Sequence, residues 1–253
     1  MKYYNPTLKE KPILLIDGDL FLYQAASVSE YETDWGDDIF SLSTDLKMAK
    51  KIFSNFLDTT KERLKTDEMI ICLTGSDNFR RELEPSYKSG RKKTRKPVGY
   101  AAFVDWCKDT YRCHQEPLLE ADDIMGILGS YPDSKGIIVS NDKDMKGVPC
   151  KLYRPMSDEL LEITTAQADR FFYTQALCGD PTDGYYGVKG VGAKTAEKIL
   201  GTRPDWSLVE QTYVKNGYSR QDAITQARLA RILRYTEWDE EKSIIKLWEP
   251  FKR

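Results

Sequence analysis

Histidine is almost missing from this chain: one residue in 253, His114, next to Cys113. A Ser-His-Asp or Cys-His mechanism would have to rest on that single residue, and a histidine-rich metal site is excluded. Following an aromatic segment as it does, His114 reads as a packing or surface residue. The five cysteines (Cys72, Cys107, Cys113, Cys150, Cys178) are scattered and never spaced Cys-x-x-Cys. That pattern argues against a disulfide framework or a zinc knuckle, and the thiols are expected reduced and mostly in the core. No apolar run approaches the ~18–20 residues that span a membrane, and Met1-Lys2-Tyr3-Tyr4-Asn5-Pro6 is no signal peptide. The expectation is a cytoplasmic protein with no membrane partner. Net charge is also scarce, only -2 at pH 7, so any electrostatic recognition must come from local patches rather than the total.

With histidine and thiolate chemistry set aside, carboxylates are the candidates. Leu119-Glu120-Ala121-Asp122-Asp123 opens a helix that continues Ile124-Met125-Gly126-Ile127-Leu128. Glu120 and Asp123, three apart, share one helical face with Asp122 beside them. Acids in a first helical turn are also favoured by the helix dipole whatever the function. The remaining acids decide between these readings. Pro12 to Ile16, Met69 to Leu73 and Gly136 to Val139 are continuous apolar runs of the kind buried on both faces of a parallel sheet. They run out into Asp17-Gly18-Asp19, Gly75-Ser76-Asp77 and Asp142-Lys143-Asp144. Ligands bind beyond the carboxyl ends of strands in open parallel sheets. Any one acid there fits a turn or a cap, but so many at one edge would repel unless cations neutralised them. A divalent-metal site is the economical expectation. The fold class expected is α/β: a central, mostly parallel sheet flanked by helices. Residues 1–160 form this core, including a basic segment at 79–110, and residues 161–253 form a helical region.

Between Lys88 and Lys96 the chain carries Lys88, Arg91, Lys92, Lys93, Arg95 and Lys96 without one acid. Such a run can be plain solvated chain. With Phe79, Arg80, Arg81 and Tyr87 just before it, it also suits phosphate binding with base stacking. Pro97 is placed to open a helix from Val98 to about Thr110. Thr164 and Gln167 form a capping-box pattern for a helix ending before Gly179. The glycine-rich stretch Gly187-Val188-Lys189-Gly190-Val191-Gly192-Ala193-Lys194-Thr195 fails as a P-loop because Ala193 separates Gly192 from Lys194. It reads better as the hairpin of a helix-hairpin-helix module over 165–201, whose backbone amides and helix N-terminus hold a phosphate while Lys189 and Lys194 add charge. Asp180 and Asp183, at the preceding helix end, complete the acidic set. A last helix is expected from Ser219 to about Tyr235, with Arg228, Arg231 and Arg234 on a solvated basic edge and Trp248 docking on the core.

Taken in order, Ile16-Asp17-Gly18, Asp77 with Phe79-Arg80 and Tyr87-Lys88, Glu120-Ala121-Asp122-Asp123, Asp142-Lys143-Asp144, and Gly179-Asp180 to Ala196 resemble the flap endonuclease and 5'-to-3' exonuclease family. Lys96-Pro97-Val98-Gly99-Tyr100 and Ala230-Arg231-Ile232-Leu233-Arg234 resemble the branch encoded by short-tailed lytic bacteriophages. The resemblance implies a PIN-like nuclease core with a helical arch. It also implies two or more Mg²⁺ ions, with Mn²⁺ able to substitute. Asp17, Asp77, Glu120 and Asp122 would serve one ion, and Asp123, Asp142, Asp144, Asp180 and Asp183 a second, partly through waters. Lys88 and Arg91 match the basic residues at the foot of the arch that contact the scissile phosphate, and Tyr87 the aromatic position beside them. Asp183-Gly184-Tyr185-Tyr186 departs from the commoner Asp-Asn-Ile-Pro. Asp19 is an additional acid whose role the resemblance leaves open.

The expected reaction is hydrolysis of duplex DNA from 5' ends, with removal of RNA from RNA-DNA hybrids and flap cleavage as further family-level activities, carried out by a monomer in the bacterial host. Two alternatives remain open. A non-catalytic DNA-binding protein of this fold would bind more easily without the acids, and a PIN-like ribonuclease would not need the hairpin.

Overall fold

The structure is a computed structural model that describes residues 11–90 and 95–250. Its centre is the run Ile13-Leu14-Leu15-Ile16-Asp17, strand β1, in which every residue is buried. Ile13 and Leu15 point to one apolar layer, and Leu14 and Ile16 to the other. Alternation with apolar residues in both phases is what a strand covered on both faces requires. β1 pairs in parallel with β4 (Met69–Leu73) on one side and β6 (Gly136–Val139) on the other.

The full sheet runs β5-β4-β1-β6-β7-β8. β5 (Cys113–Gln115) and β7 (Cys150–Arg154) continue the parallel pairing, and β8 (Glu159–Ile163) returns antiparallel to β7. Helices α1 (Gly18–Val28), α2 (Leu46–Leu64) and α4 (Tyr100–Thr110) cover one face, and α5 (Ala121–Gly129) covers the other. A two-stranded ribbon, β2 (Glu30–Asp34) with β3 (Phe40–Thr44), stands between α1 and α2. Short α3 (Arg80–Leu83) follows β4.

A third apolar cluster lies among α6 (Thr165–Cys178), α7 (Ala193–Leu200), α8 (Trp206–Lys215) and α9 (Arg220–Ala230). Thr164 and Gln167 do form a capping box at the head of α6, and Trp248 packs edge-on against Phe172 and Trp206. A short ribbon, β9 (Trp238–Asp239) with β10 (Ile244–Ile245), follows. No helix among the described residues is long and apolar enough to cross a membrane.

Two expectations about the helices change. α4 begins at Tyr100, not Val98, because Gly99 adopts a left-handed φ of 74° as its N-cap; no α-helix lies between Leu83 and Tyr100 among the described residues. α9 stops at Ala230, so Arg231 and Arg234 do not extend a solvated helical edge. Both are buried, Arg231 paired with Glu237 at 2.9 Å and Arg234 with Asp169 at 2.8 Å. A three-residue arginine spacing on a helix became an interior spacing once the chain left the helix.

Candidate metal centre

The acids reach one place because several elements end there together. Asp17 closes β1 and caps α1, accepting the Leu20 amide at 3.0 Å and the Ser140 hydroxyl at 2.7 Å. Ser140, just beyond β6, also takes the Asp142 amide at 3.0 Å. One serine thus ties the ends of two neighbouring strands. Asp142 caps the 3-10 turn Lys143–Gly147 by accepting the Asp144 amide, and Gln175 of α6 donates to Asp144 at 2.7 Å. Thr74, past the end of β4, accepts the Ala121 amide and so aligns α5 with the same edge. Ser140, Thr74 and Gln175 carry no charge and no motif, so only a guess at strand-end neighbours would have singled them out.

The gathered acids fall into two electrostatic groups. In the first, the chain supplies its own cations. Arg80, 2% exposed, grips Asp123 through two 2.7 Å hydrogen bonds and Glu120 through one of 3.1 Å. The Lys88 ammonium lies 2.6 Å from Glu120 and 3.5 Å from Asp183, and Lys143 lies 3.3 Å from Asp180. Burial alone would raise the Glu120 pKa, but the Lys88 and Arg80 charges and the Tyr87 hydroxyl hold it down to about 2.

In the second group the cations stand farther off: Lys88 acts on Asp122 and Lys143 on Asp144 without an ion pair to either. Burial first, then the Asp19 and Asp142 charges, lift Asp17 to about 7 against its Ser140 and Leu20 hydrogen bonds. Asp122 is raised well above the carboxylate range by burial and by Asp17 and Asp142. Asp144 is lifted to about 6 by burial and Asp142. These are acids that resist losing their protons until positive charge arrives. The donors are all oxygens, the chemistry of Mg²⁺, Mn²⁺ or Ca²⁺ and not of a thiolate-seeking metal. Among the described residues no three side chains already close on one point, which suits an ion that keeps several of its own waters. The residues present therefore fit a hard divalent cation.

Several sequence-predicted residues are elsewhere. Asp123 is fully buried, and besides Arg80 its oxygens accept the Glu120 and Leu233 amides, so it has no capacity left for a metal. Asp77 lies on an outward turn past the end of β4 at Leu73, 64% exposed in its side chain and 3.6 Å from Arg81. Arg80 and Tyr87 are not free to touch DNA: both are buried, and the Tyr87 hydroxyl donates to Glu120 at 3.1 Å. Gly187 is also enclosed, its Cα so close to the Gly179 amide that a Cβ would sit 2.4 Å from it; it is a packing glycine between the two arms of a turn. Lys189, Gly190, Gly192, Lys194 and Thr195 remain exposed at the entry to α7, with open space around Gly190 and Gly192. Arg81 and Lys96 are exposed, and Arg95 is engaged by Glu30 at 2.5 Å. Arg91, Lys92 and Lys93 lie outside the described residues.

A mostly parallel sheet with carboxylates collected past its strand ends defines the class: an α/β protein with an acidic centre at one sheet edge. The chain belongs to the 5'-3' exonuclease family, matching its "5'-3' exonuclease, N-terminal resolvase-like domain" over residues 12–168. It is 32% identical to the exonuclease of Escherichia phage T7, over 95% of this chain and 94% of that one. To the exodeoxyribonuclease of Enterobacteria phage T3 it is 31% identical, with the same shares covered. Among solved structures it is similar in fold to the phage T5 D15 protein co-crystallised with metal ions, at TM-score 0.63 and 15% identity, covering 86% of this chain and 88% of that one.

Proposed function

We propose that this nuclease is a divalent-metal-dependent phosphodiester hydrolase that degrades duplex DNA from 5' ends. The observation that carries the reading is the group Asp17, Asp122 and Asp142, buried or half-buried acids at one sheet edge whose charges act on one another more strongly than the nearest lysine, Lys88, acts on Asp122. With Glu120 on one side and Asp144, Asp180 and Asp183 on the other, they would hold Mg²⁺ or Mn²⁺. A bound divalent cation supplies Lewis acidity that favours ionisation of the attacking water and stabilises the departing 3'-oxygen.

The side chains have separable tasks. Ser140 and Gln175 orient Asp17 and Asp144 by hydrogen bonds. Lys88 sits at the rim of the acids and is positioned to exchange Glu120 for a substrate phosphate, offsetting charge that develops there. Arg91 is proposed as its partner from the sequence. One solved structure of similar fold bears on substrate: the phage T5 D15 flap endonuclease was captured with DNA and metal ions. For this chain we read α6, the turns at 179–192 and α7 as the helix-hairpin-helix that grips the duplex backbone through Gly190, Gly192, Lys189, Lys194 and Thr195, with Arg81, Arg95, Lys92, Lys93 and Lys96 lining the approach to the 5' end. Contacts to phosphates alone give little sequence preference and steep salt dependence.

Cleavage of flaps and of RNA in RNA-DNA hybrids belongs to the same proposal, as does action as a monomer in the cytoplasm of the host cell. The test incubates the protein with 5'-labelled duplex DNA, flapped DNA, RNA-DNA hybrid and RNA, with Mg²⁺ or with chelator. Mononucleotides or short oligomers leaving 5' ends of DNA only with metal are expected. Cleavage of RNA alone, or binding of DNA without cleavage, would replace the proposal with the ribonuclease or the non-catalytic reading.

A further inference from the structure

The outward placement of Asp77 leaves β4, alone among the three central strands β1, β4 and β6, with no carboxylate near its carboxyl end. Leu73 is the last strand residue and Thr74 the next. We propose that Asp19, reaching across from α1, supplies that missing donor to the divalent cation; the inference rests on the metal-dependent reading above.

The geometry begins with Gly18. A Cβ on this residue would lie 2.6 Å from Ile71 Cγ2 and 2.7 Å from the Cys72 carbonyl oxygen. Only glycine lets the β1–α1 turn press this closely against β4. The helix begins at Gly18, so the chain turns immediately and the following residue is carried sideways over the neighbouring strand end rather than onward along β1. There the Asp19 carboxylate accepts the Thr74 amide at 3.2 Å, anchored to the position where β4 has no acid of its own. Its charge acts on Asp17, and the charges of Lys96 and then Glu120 act on it. Asp19 thus bridges the acid of β1 and the acid at the head of α5 across the end of β4. An Asx cap would explain a hydrogen bond to the following turn of α1. It does not explain one to a strand more than fifty residues away.

The test measures Mn²⁺ binding to the full chain by the free-ion electron paramagnetic resonance signal, with the Mn²⁺-induced shift in melting temperature as a second reading. Wild type is compared with Asp19→Asn, Asp77→Asn and Asp122→Asn, and the asparagine at 19 keeps an acceptor for the Thr74 amide. Expected are a loss of Mn²⁺ affinity of roughly tenfold or more for Asp19→Asn and for Asp122→Asn, and a change below about twofold for Asp77→Asn. Circular dichroism shows whether each variant is folded, and Asp19→Ser serves as a second removal if asparagine disturbs the turn. Unchanged Mn²⁺ affinity in both Asp19 variants, with Asp122→Asn weakened, overturns the Asp19 assignment alone. If wild type itself fails to take up Mn²⁺ at millimolar levels, the metal-dependent reading falls and Asp19 with it. A loss for Asp77→Asn as large as for Asp19→Asn overturns the replacement.

Discussion

Asp122 and Asp123 are neighbours in the first turn of α5, and the protein treats them in opposite ways. Asp123 faces the sheet and the C-terminal segment, where Arg80 and two backbone amides satisfy it. Asp122 faces the strand ends, where burial and then the Asp17 and Asp142 charges push its pKa up. One helix turn therefore separates a finished ion pair from an unfinished site. The difference teaches how to read an acidic cluster. A carboxylate whose lone pairs are all taken up by a buried arginine and backbone amides, as in Asp123, is scaffold, and one left short of positive charge waits for a ligand.

The sharpest way to break the comparison is to neutralise each neighbour. Asp122→Asn is expected to lower the cleavage rate by roughly a thousandfold or more while leaving the metal-free protein as stable as wild type or more so, since a repelling buried acid is gone. Asp123→Asn should do the reverse at the level of the fold: Arg80 loses the nearer of its two buried carboxylates, a change that costs about 3 kcal/mol, seen as a lower denaturation midpoint. Equal destabilisation by both would erase the distinction. Next in size is the response of stability to pH. Raised carboxylates bind protons more tightly folded than unfolded, so the metal-free protein should lose stability as pH rises from about 4 through about 7, the range over which Asp17 and Asp144 ionise. Glu120 works in the other direction, its contribution lost as pH falls from about 4.5 through about 2. Urea midpoints across pH 3–8, with and without Mg²⁺, check both signs: added Mg²⁺ should flatten the upper slope and leave the lower one. A metal-free midpoint that climbs steadily to pH 8 would contradict the division.

Smaller effects sharpen the picture at its rim. Lys88→Ala should reduce the single-turnover cleavage rate by roughly 10- to 100-fold with DNA affinity little changed, because its ammonium addresses the acids and the reacting phosphate rather than the length of the duplex. Lys189→Ala with Lys194→Ala should spare the rate at saturating DNA, weaken binding, and reduce the dependence of log affinity on log salt by up to about two.

Much of this was open to reading from the chain. Buried strands announce themselves by continuous apolar runs, and the acids that follow β1 and β6, with those at the head of α5, meet at one sheet edge. The rest depended on where the backbone turns. Asp77 follows a good strand at a plausible distance, yet the four residues after Leu73 carry it outward. Asp19 sits two residues past Asp17, which in an extended chain would put it farther out, and only the helix starting at Gly18 swings it back over β4. Arg80 and Tyr87 lie in a basic, aromatic stretch that looks made for nucleic acid, but pairing partners forty residues on at Glu120 and Asp123 draw them inside. β7 with β8, and the β2–β3 ribbon, are mixed polar and apolar strands whose pairing is set by neighbours rather than by their own pattern.

One contact reaches further than its size suggests. Gly126, in the middle of α5, has the Leu233 carbonyl so near that a Cβ would stand 2.4 Å from it, and Arg80 bonds the Leu229 and Arg231 carbonyls. The end of α9 and the stretch that follows it are therefore a keystone beneath the nuclease half, although they lie far beyond residues 12–168 that the family match covers. Trimming the protein back to residue 168 would remove the wedge that holds α5 at its angle, and such a fragment should hold neither its acids nor its shape.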